Sequence, residues 1–327
     1  MSSSGTETTE RVRQVARKSR IHVPGGTYYV ILRGQSGKAL FPEERDRERF
    51  LELLDEVAAR YRAHTLAYAL LERRVEMVVR IEELPLYKFV QSLIYRYKRA
   101  LRGIHGGVGT LLQGRYQACL LDPAEYLAPA IAHCHTAPVR AGLSADAGSW
   151  RWTGHDALAG RGAGPAALAV DAALAAFGAP ADAGRRRYRA LAADPAVVAD
   201  QDHLGARLAR ERILGDERFC RRIQRQQKRR AGSVPTLDRI VRYVCEAYAL
   251  TEAELKSPRR LRRPAQARAV IGLIATETGA ATLTDVASRF GRDIATLSIS
   301  MRRLTQENVD GYRRARRLRD ELRRAAQ

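Results

Sequence analysis

Residues 66–80 read Leu-Ala-Tyr-Ala-Leu-Leu-Glu-Arg-Arg-Val-Glu-Met-Val-Val-Arg. Two β-rich runs, 66–71 and 75–81, flank a short polar turn of Glu72, Arg73 and Arg74, which is the pattern of a hairpin. Residues i and i+2 of a strand share a face, so Arg74 and Glu76 project together while Val75, Met77 and Val79 face the other way. Before the hairpin, Tyr28-Tyr29-Val30-Ile31-Leu32 is a third strand, and Phe50, Leu53, Leu54, Val57 and Tyr61 recur at helical spacing within 42–61. After it, residues 85–102 form a second amphipathic helix with Leu86, Phe89, Val90, Leu93 and Ile94 on one side. A fourth strand is expected at 117–121, followed by a helix that Asp122 can cap. The order strand, helix, strand, strand, helix, strand predicts an α+β fold with a ferredoxin-like sheet, extended by a further helix.

The 327 residues carry 57 Lys+Arg against 36 Asp+Glu, a formal charge of +21. A surplus of that size draws polyanions through steering and counterion release, which makes DNA the expected partner. No run of about 18 apolar residues is present, so no membrane partner is expected and the location is read as cytoplasmic and nucleoid-associated. Cys119, Cys134, Cys220 and Cys245 lack Cys-x-x-Cys spacing and are read as reduced apolar residues, with neither a zinc site nor a disulfide framework.

Residues 1–19 have no apolar periodicity and are read as a flexible tail, with the sheet domain spanning 20–160. Residues 161–231 are read as a helical connection ending in an exposed basic linker at 226–232. Residues 232–327 are patterned as an all-α region of four or five helices.

Several stretches within 20–160 resemble the REP-associated tyrosine transposases of the IS200/Y1 transposase family. They are Pro24-Gly25-Gly26-Thr27-Tyr28-Tyr29-Val30-Ile31-Leu32-Arg33-Gly34, Asp46-Arg47-Glu48-Arg49-Phe50-Leu51, Leu112-Gln113-Gly114-Arg115-Tyr116, Pro138-Val139-Arg140-Ala141-Gly142-Leu143 and Ser149-Trp150-Arg151-Trp152. The resemblance implies a fold that recognises hairpin and single-stranded DNA, and it carries an expectation of homodimers. Family members cut DNA with a His-x-His pair holding Mg²⁺ or Mn²⁺ and a helix-borne tyrosine. Here the pair is replaced by Arg74 and Glu76, the tyrosine position falls at His133, and the asparagine before Pro138 is Ala137. Arginine has no lone pair for a metal, and Glu76 alone offers one ligand group. His133 and His135 sit two apart on a helix and so on different faces. The expectation is a domain kept for binding, without catalytic residues, metal or other cofactor. The alternative is an active transposase using Mg²⁺ or Mn²⁺ with displaced ligands or a replacement tyrosine among Tyr95, Tyr97, Tyr116 and Tyr126. RNA binding on the sheet face is a third reading. Arg74 and Glu76 are either a solvated surface pair or, more sharply, a site where Arg74 stands in for the metal's charge and contacts phosphate. Arg33, Arg74, Arg96, Lys98 and Arg115 are the expected DNA contacts of this domain.

Residues 234–304 resemble the C-terminal DNA-binding domain of the bacterial replication initiator DnaA. Ile240-Val241-Arg242-Tyr243-Val244-Cys245 with Leu255-Lys256-Ser257-Pro258-Arg259-Arg260, the basic loop and helix 262–274, and Leu283 to Ser298 carry the likeness. Thr284 to Phe290 and Ala295 to Arg303 form a helix-turn-helix pattern around a Gly-containing turn, whose second helix is expected in the major groove. Where family members read Gly-Arg-Asp-His-Ser/Thr-Thr-Val, this chain has Ile294 and Ala295. Arg268, Arg292, Thr296, Ser298 and Arg302 are the expected duplex contacts. A phosphate-binding Gly-x-x-x-x-Gly-Lys-Ser/Thr loop is lacking, which argues against an ATP-driven initiator.

Overall fold

The computed structural model describes residues 21–35, 38–106, 111–232, 235–259, 261–306 and 309–325. The expected tail 1–19 lies outside the described residues. The chain divides into two compact units, Met1–Ile223 and Gln224–Gln327.

The first unit is built on a mixed five-stranded sheet: β1 Thr27–Arg33, β2 Ala63–Leu70, β3 Arg74–Ile81, β4 Gln117–Leu121 and β5 Ile213–Leu214, in the order β2-β3-β1-β4-β5. Neighbours are antiparallel except β4 and β5, which pair in parallel. Helix α1 (Glu44–Tyr61) begins at a capping box between Glu43 and Asp46, and α2 (Leu86–His105) packs beside it. Leu32 and Val75, paired in register, face these two helices together with Phe50, Ile94 and Tyr97. Alternation along each strand then turns Tyr29 and Glu76 to the opposite face, under α3 (Pro123–His135), which Asp122 caps through a 3.2 Å bond from the Ala124 amide. With both faces covered, the central strands are apolar in nearly every position, and Tyr28, Tyr29, Leu66, Leu70, Met77 and Val78 are all buried.

Five further helices of the first unit follow: α4 Ala137–Arg140, α5 His155–Ala159, α6 Val170–Leu174, α7 Ala181–Ala193 and α8 Pro195–Arg210. The segment expected as a helical connection is helical, and it also joins the first core, contributing Leu168, Leu174, Phe177, Tyr188, Leu208, Leu214 and Phe219. The linker expected at 226–232 is instead the end of α9 (Glu217–Gly232). Its Arg, Gln and Lys content looks like a solvated linker, yet these are good helix formers, and Phe219 and Ile223 anchor the helix one turn apart.

The second unit continues from α9 with α10 Leu237–Tyr248, α11 Glu252–Lys256, α12 Arg262–Thr278, α13 Leu283–Arg289, α14 Ile294–Gln306 and α15 Val309–Arg324. Helix α12 is its centre. Ala267 to Ala275 of α12 are buried throughout, and the helix touches α10, α11, α13, α14 and α15.

Candidate nucleic-acid interface

Arg74 and Glu76 do share a face, and the surface reading of the pair is corrected: Glu76 is 2% exposed. Arg74 Nε lies 2.7 Å from Glu76 Oε1, the Tyr29 hydroxyl donates to Oε2, and Arg140 Nη2 approaches Oε2 at 3.9 Å. Arg140 also donates to the His133 carbonyl at 2.9 Å and to Thr136 Oγ1 at 2.8 Å, and its Nη2 sits 2.9 Å from His133 Nε2. The Cys134 thiol donates to the Glu76 carbonyl at 3.5 Å. Burial, reinforced by Glu76, raises the Tyr29 phenol well above its ordinary value, and burial likewise raises Cys134. Neither is prepared to act as a nucleophile, since the reactive form is the anion that burial disfavours. Both carboxylate oxygens of Glu76 are occupied by cation or hydroxyl partners. Among the described residues no group of three or more His, Cys, Asp or Glu is arranged to hold a metal.

His133, at the position where the resemblance puts a tyrosine, is 4% exposed, packs at 5.7 Å against the Tyr29 ring, and lies under α8 at Gly205. A Cβ on Gly205 would stand 2.8 Å from His133 Cε1, so the helix passes as closely as a glycine allows. His135 faces a different cluster. Its Nδ1 is 2.7 Å from the Tyr188 hydroxyl, which is also 2.6 Å from His155 Nδ1. Burial, and then the His155 charge, pushes His135 down to about 3, which keeps it neutral. Of the tyrosines considered as replacements, Tyr97 is buried and donates to the Leu40 carbonyl at 2.7 Å. Tyr126 accepts from Arg207 at 3.1 Å, Tyr116 is half-buried, and Tyr95 is exposed on α2.

The expected cations of the sheet domain fall into two places. Arg33 is the register partner of Arg74, is exposed, and donates to Gln117 Oε1 at 3.3 Å. Arg115 is exposed in the turn just before β4, where the Gln113 amide bonds the Arg33 carbonyl. Two arginines directly across a ladder repel each other. Glu76 offsets Arg74, so Arg33 remains a cation presented at the strand end. Arg96 and Lys98 lie on α2, across the sheet, and Arg96 is engaged by Glu56 at 2.7 Å. The carboxylate cluster around Tyr29, Arg140 and Thr136 was not legible beforehand, because it joins residues far apart in the chain.

In the second unit, Thr282 and Asp285 form a capping box that starts α13, and Asp293 caps α14 by accepting from the Ala295 and Thr296 amides at 2.7 and 3.2 Å. Gly291, at φ +58°, turns the chain between them. Val286, Ala287, Phe290, Leu297 and Leu304 face inward, while Ile294, Ala295, Thr296, Ile299 and Arg302 are exposed and Ser298 is half-buried. Two expected contacts are used internally. Arg268 is 7% exposed and donates to the Leu255 carbonyl at 2.9 Å, and half-buried Arg292 donates to the Ser257 carbonyl. Both guanidinium groups meet the carbonyl end of α11, where a cation is favourable. Their reading as duplex contacts is therefore corrected for Arg268, whose side chain is inside the unit, and narrowed for Arg292.

Residues 237–304 match the family described as bacterial dnaA protein helix-turn-helix. The second unit contains a DnaA-like helix-turn-helix domain. Within that DnaA-like domain the matched residues run from α10 to α14, so α15 is additional to them. No curated protein matches the chain. A solved structure, a REP-associated tyrosine transposase bound to a REP hairpin, is similar at 14% identity with a TM-score of 0.40, covering 46% of this chain and 88% of that one. That is a weak and partial likeness. No helix among the described residues is long and apolar enough to cross a membrane.

Proposed function

We propose that this chain is a DNA-binding protein without strand-cleaving chemistry, in which the DnaA-like unit reads duplex DNA and the sheet unit holds hairpin or single-stranded DNA. The observation that carries the reading is the α13–α14 pair with its exposed outer face, on a chain of formal charge +21. Thr296, Ser298 and Arg302 are the proposed duplex contacts of α14, and Arg33, Arg74 and Arg115 the proposed phosphate contacts at the strand end. We assign the sheet to the ferredoxin-like type and derive it from a REP-associated tyrosine transposase. Support comes from the collinear sequence stretches within 20–160 and the strand order β2-β3-β1-β4 with α1 and α2 together on one face. Loss of cleavage is supported by the burial and full engagement of Glu76 and by the burial of His133 under α8. A role in gene regulation or genome maintenance, at the nucleoid and as a homodimer, follows from this reading.

The test uses the full chain. Fluorescence anisotropy with a labelled duplex pool and with labelled hairpins should show binding to both, each weakening as salt rises. Incubation of hairpin-bearing single-stranded DNA with the protein and Mn²⁺, resolved on a denaturing gel, should give no covalent adduct. A labelled adduct would establish the transposase alternative instead.

A further inference from the structure

The outer face of α14 is largely apolar over its first two turns, before Arg302 and Arg303, where a solvent-facing helix is ordinarily charged. Ile294 and Ile299 are 45% and 49% exposed, and Ala295 and Thr296 beside them are exposed as well. Ala295, Ile299 and Arg302 lie opposite the inward row of Leu297, Met301 and Leu304, so exposure follows the helix geometry. On α15 of the same unit the exposed positions are charged, among them Asp310, Arg313, Arg314, Arg316, Arg317, Asp320 and Arg324. The apolar surface belongs to the second helix of the helix-turn-helix, the element whose N-terminal residues meet base edges.

In a major groove the apolar feature is the C5-methyl group of thymine; the other base edges present hydrogen-bond donors and acceptors. An isoleucine set against those polar edges would leave them unpaired, which is unfavourable. Against a methyl group it removes apolar surface from water on both sides. Resting on the duplex-reading function proposed for this unit, we infer that α14 selects sites by their thymine methyl groups, through Ile294 with Ala295 and through Ile299. Five residues separate the two isoleucines, about 7.5 Å along the helix, close to two base steps of about 3.4 Å. The two side chains therefore reach different base pairs, and the preferred duplex carries thymines at more than one position. Thr296 and Ser298 supply hydroxyl contacts from the two flanks of this face, and Arg302, farther along it, meets the phosphates.

The experiment selects bound duplexes from a random 20-base-pair pool with the full chain, then replaces each thymine of the winning site by deoxyuridine, one at a time. This removes a methyl group and keeps every hydrogen-bonding edge. Two or three positions should weaken binding by about fourfold each, the worth of one buried methyl-sized group. In Ile299→Ala and Ile294→Ala variants one of these penalties should vanish while the circular dichroism spectrum stays that of the parent, both side chains being largely outside the core. A selected site indifferent to deoxyuridine, or a penalty that persists in both variants, would overturn the inference and leave duplex binding standing. Retention of no duplex would overturn the parent reading and the inference with it.

Discussion

Glu76 shows how much one side chain's surroundings decide. It is buried with Arg74 and Arg140 beside it and the Tyr29 hydroxyl on its outer oxygen. Removing one partner of such a group leaves the others uncompensated, at a cost of about 3–5 kcal/mol. Glu76→Gln should lower the unfolding free energy of the first unit by that order, read from denaturant melts, whereas Arg33→Ala, at an exposed position, should change it by less than about 0.5 kcal/mol. His135 makes a pH prediction. Its folded value near 3 lies below the ordinary imidazole value of 6.5, and His155 is lowered as well by burial. Between those values the unfolded chain binds the extra proton, so the His135 contribution to stability is full above pH 6.5 and declines as pH falls toward 3, at up to about 1.4 kcal/mol per pH unit; the lowered His155 acts in the same direction. Urea melts at pH 7 and pH 5 should show the loss, and His135→Gln should flatten it. An unchanged slope in that variant would remove His135 as the source.

At the scale of elements, caps and close approaches carry the predictions. Thr282→Ala removes both the side-chain acceptor for the Asp285 amide and the hydroxyl that bonds Asp285. The change should destabilise the second unit by about 1 kcal/mol and loosen α13, read by hydrogen exchange of that helix. The main elements were legible in the sequence because their periodicity is strong: the four long strands and the first three helices fall where apolar spacing put them. The Asp122 cap was legible for the same local reason. The two-residue strand β5 was not, since Ile213-Leu214 is too short to have a period and is defined by its parallel partner β4. The helices between 161 and 232 were expected, but their place in the first core was not, because alanine, glycine and arginine hide a sparse apolar row that only tertiary packing reveals. Arg268 was misplaced by its chemistry: an arginine in a basic segment looks like a phosphate contact until the α11 carbonyl it bonds is in view.

For the whole molecule, the charge is the dominant long-range property. Neutralised phosphates release counterions, so the logarithm of the duplex association constant should fall linearly with the logarithm of salt concentration. Arg302→Ala should reduce the steepness of that line by about one phosphate's share. A slope identical to the parent's would take Arg302 out of the contact set. The cluster around Glu76 also bears on how this chain could change over evolutionary time. Suppose histidines were introduced at positions 74 and 76 one at a time. The first step at 76 leaves Arg140 and Arg74 facing each other without a carboxylate, and a step at 74 alone puts an imidazole where the Glu76 carboxylate now has a guanidinium partner. Either single step passes through a less stable protein, and α8, seated on His133 at Gly205, would still have to leave. Any route to a metal-ligand pair on these strands is therefore a valley several substitutions wide, and the present arrangement is held in place by its own internal counter-ions.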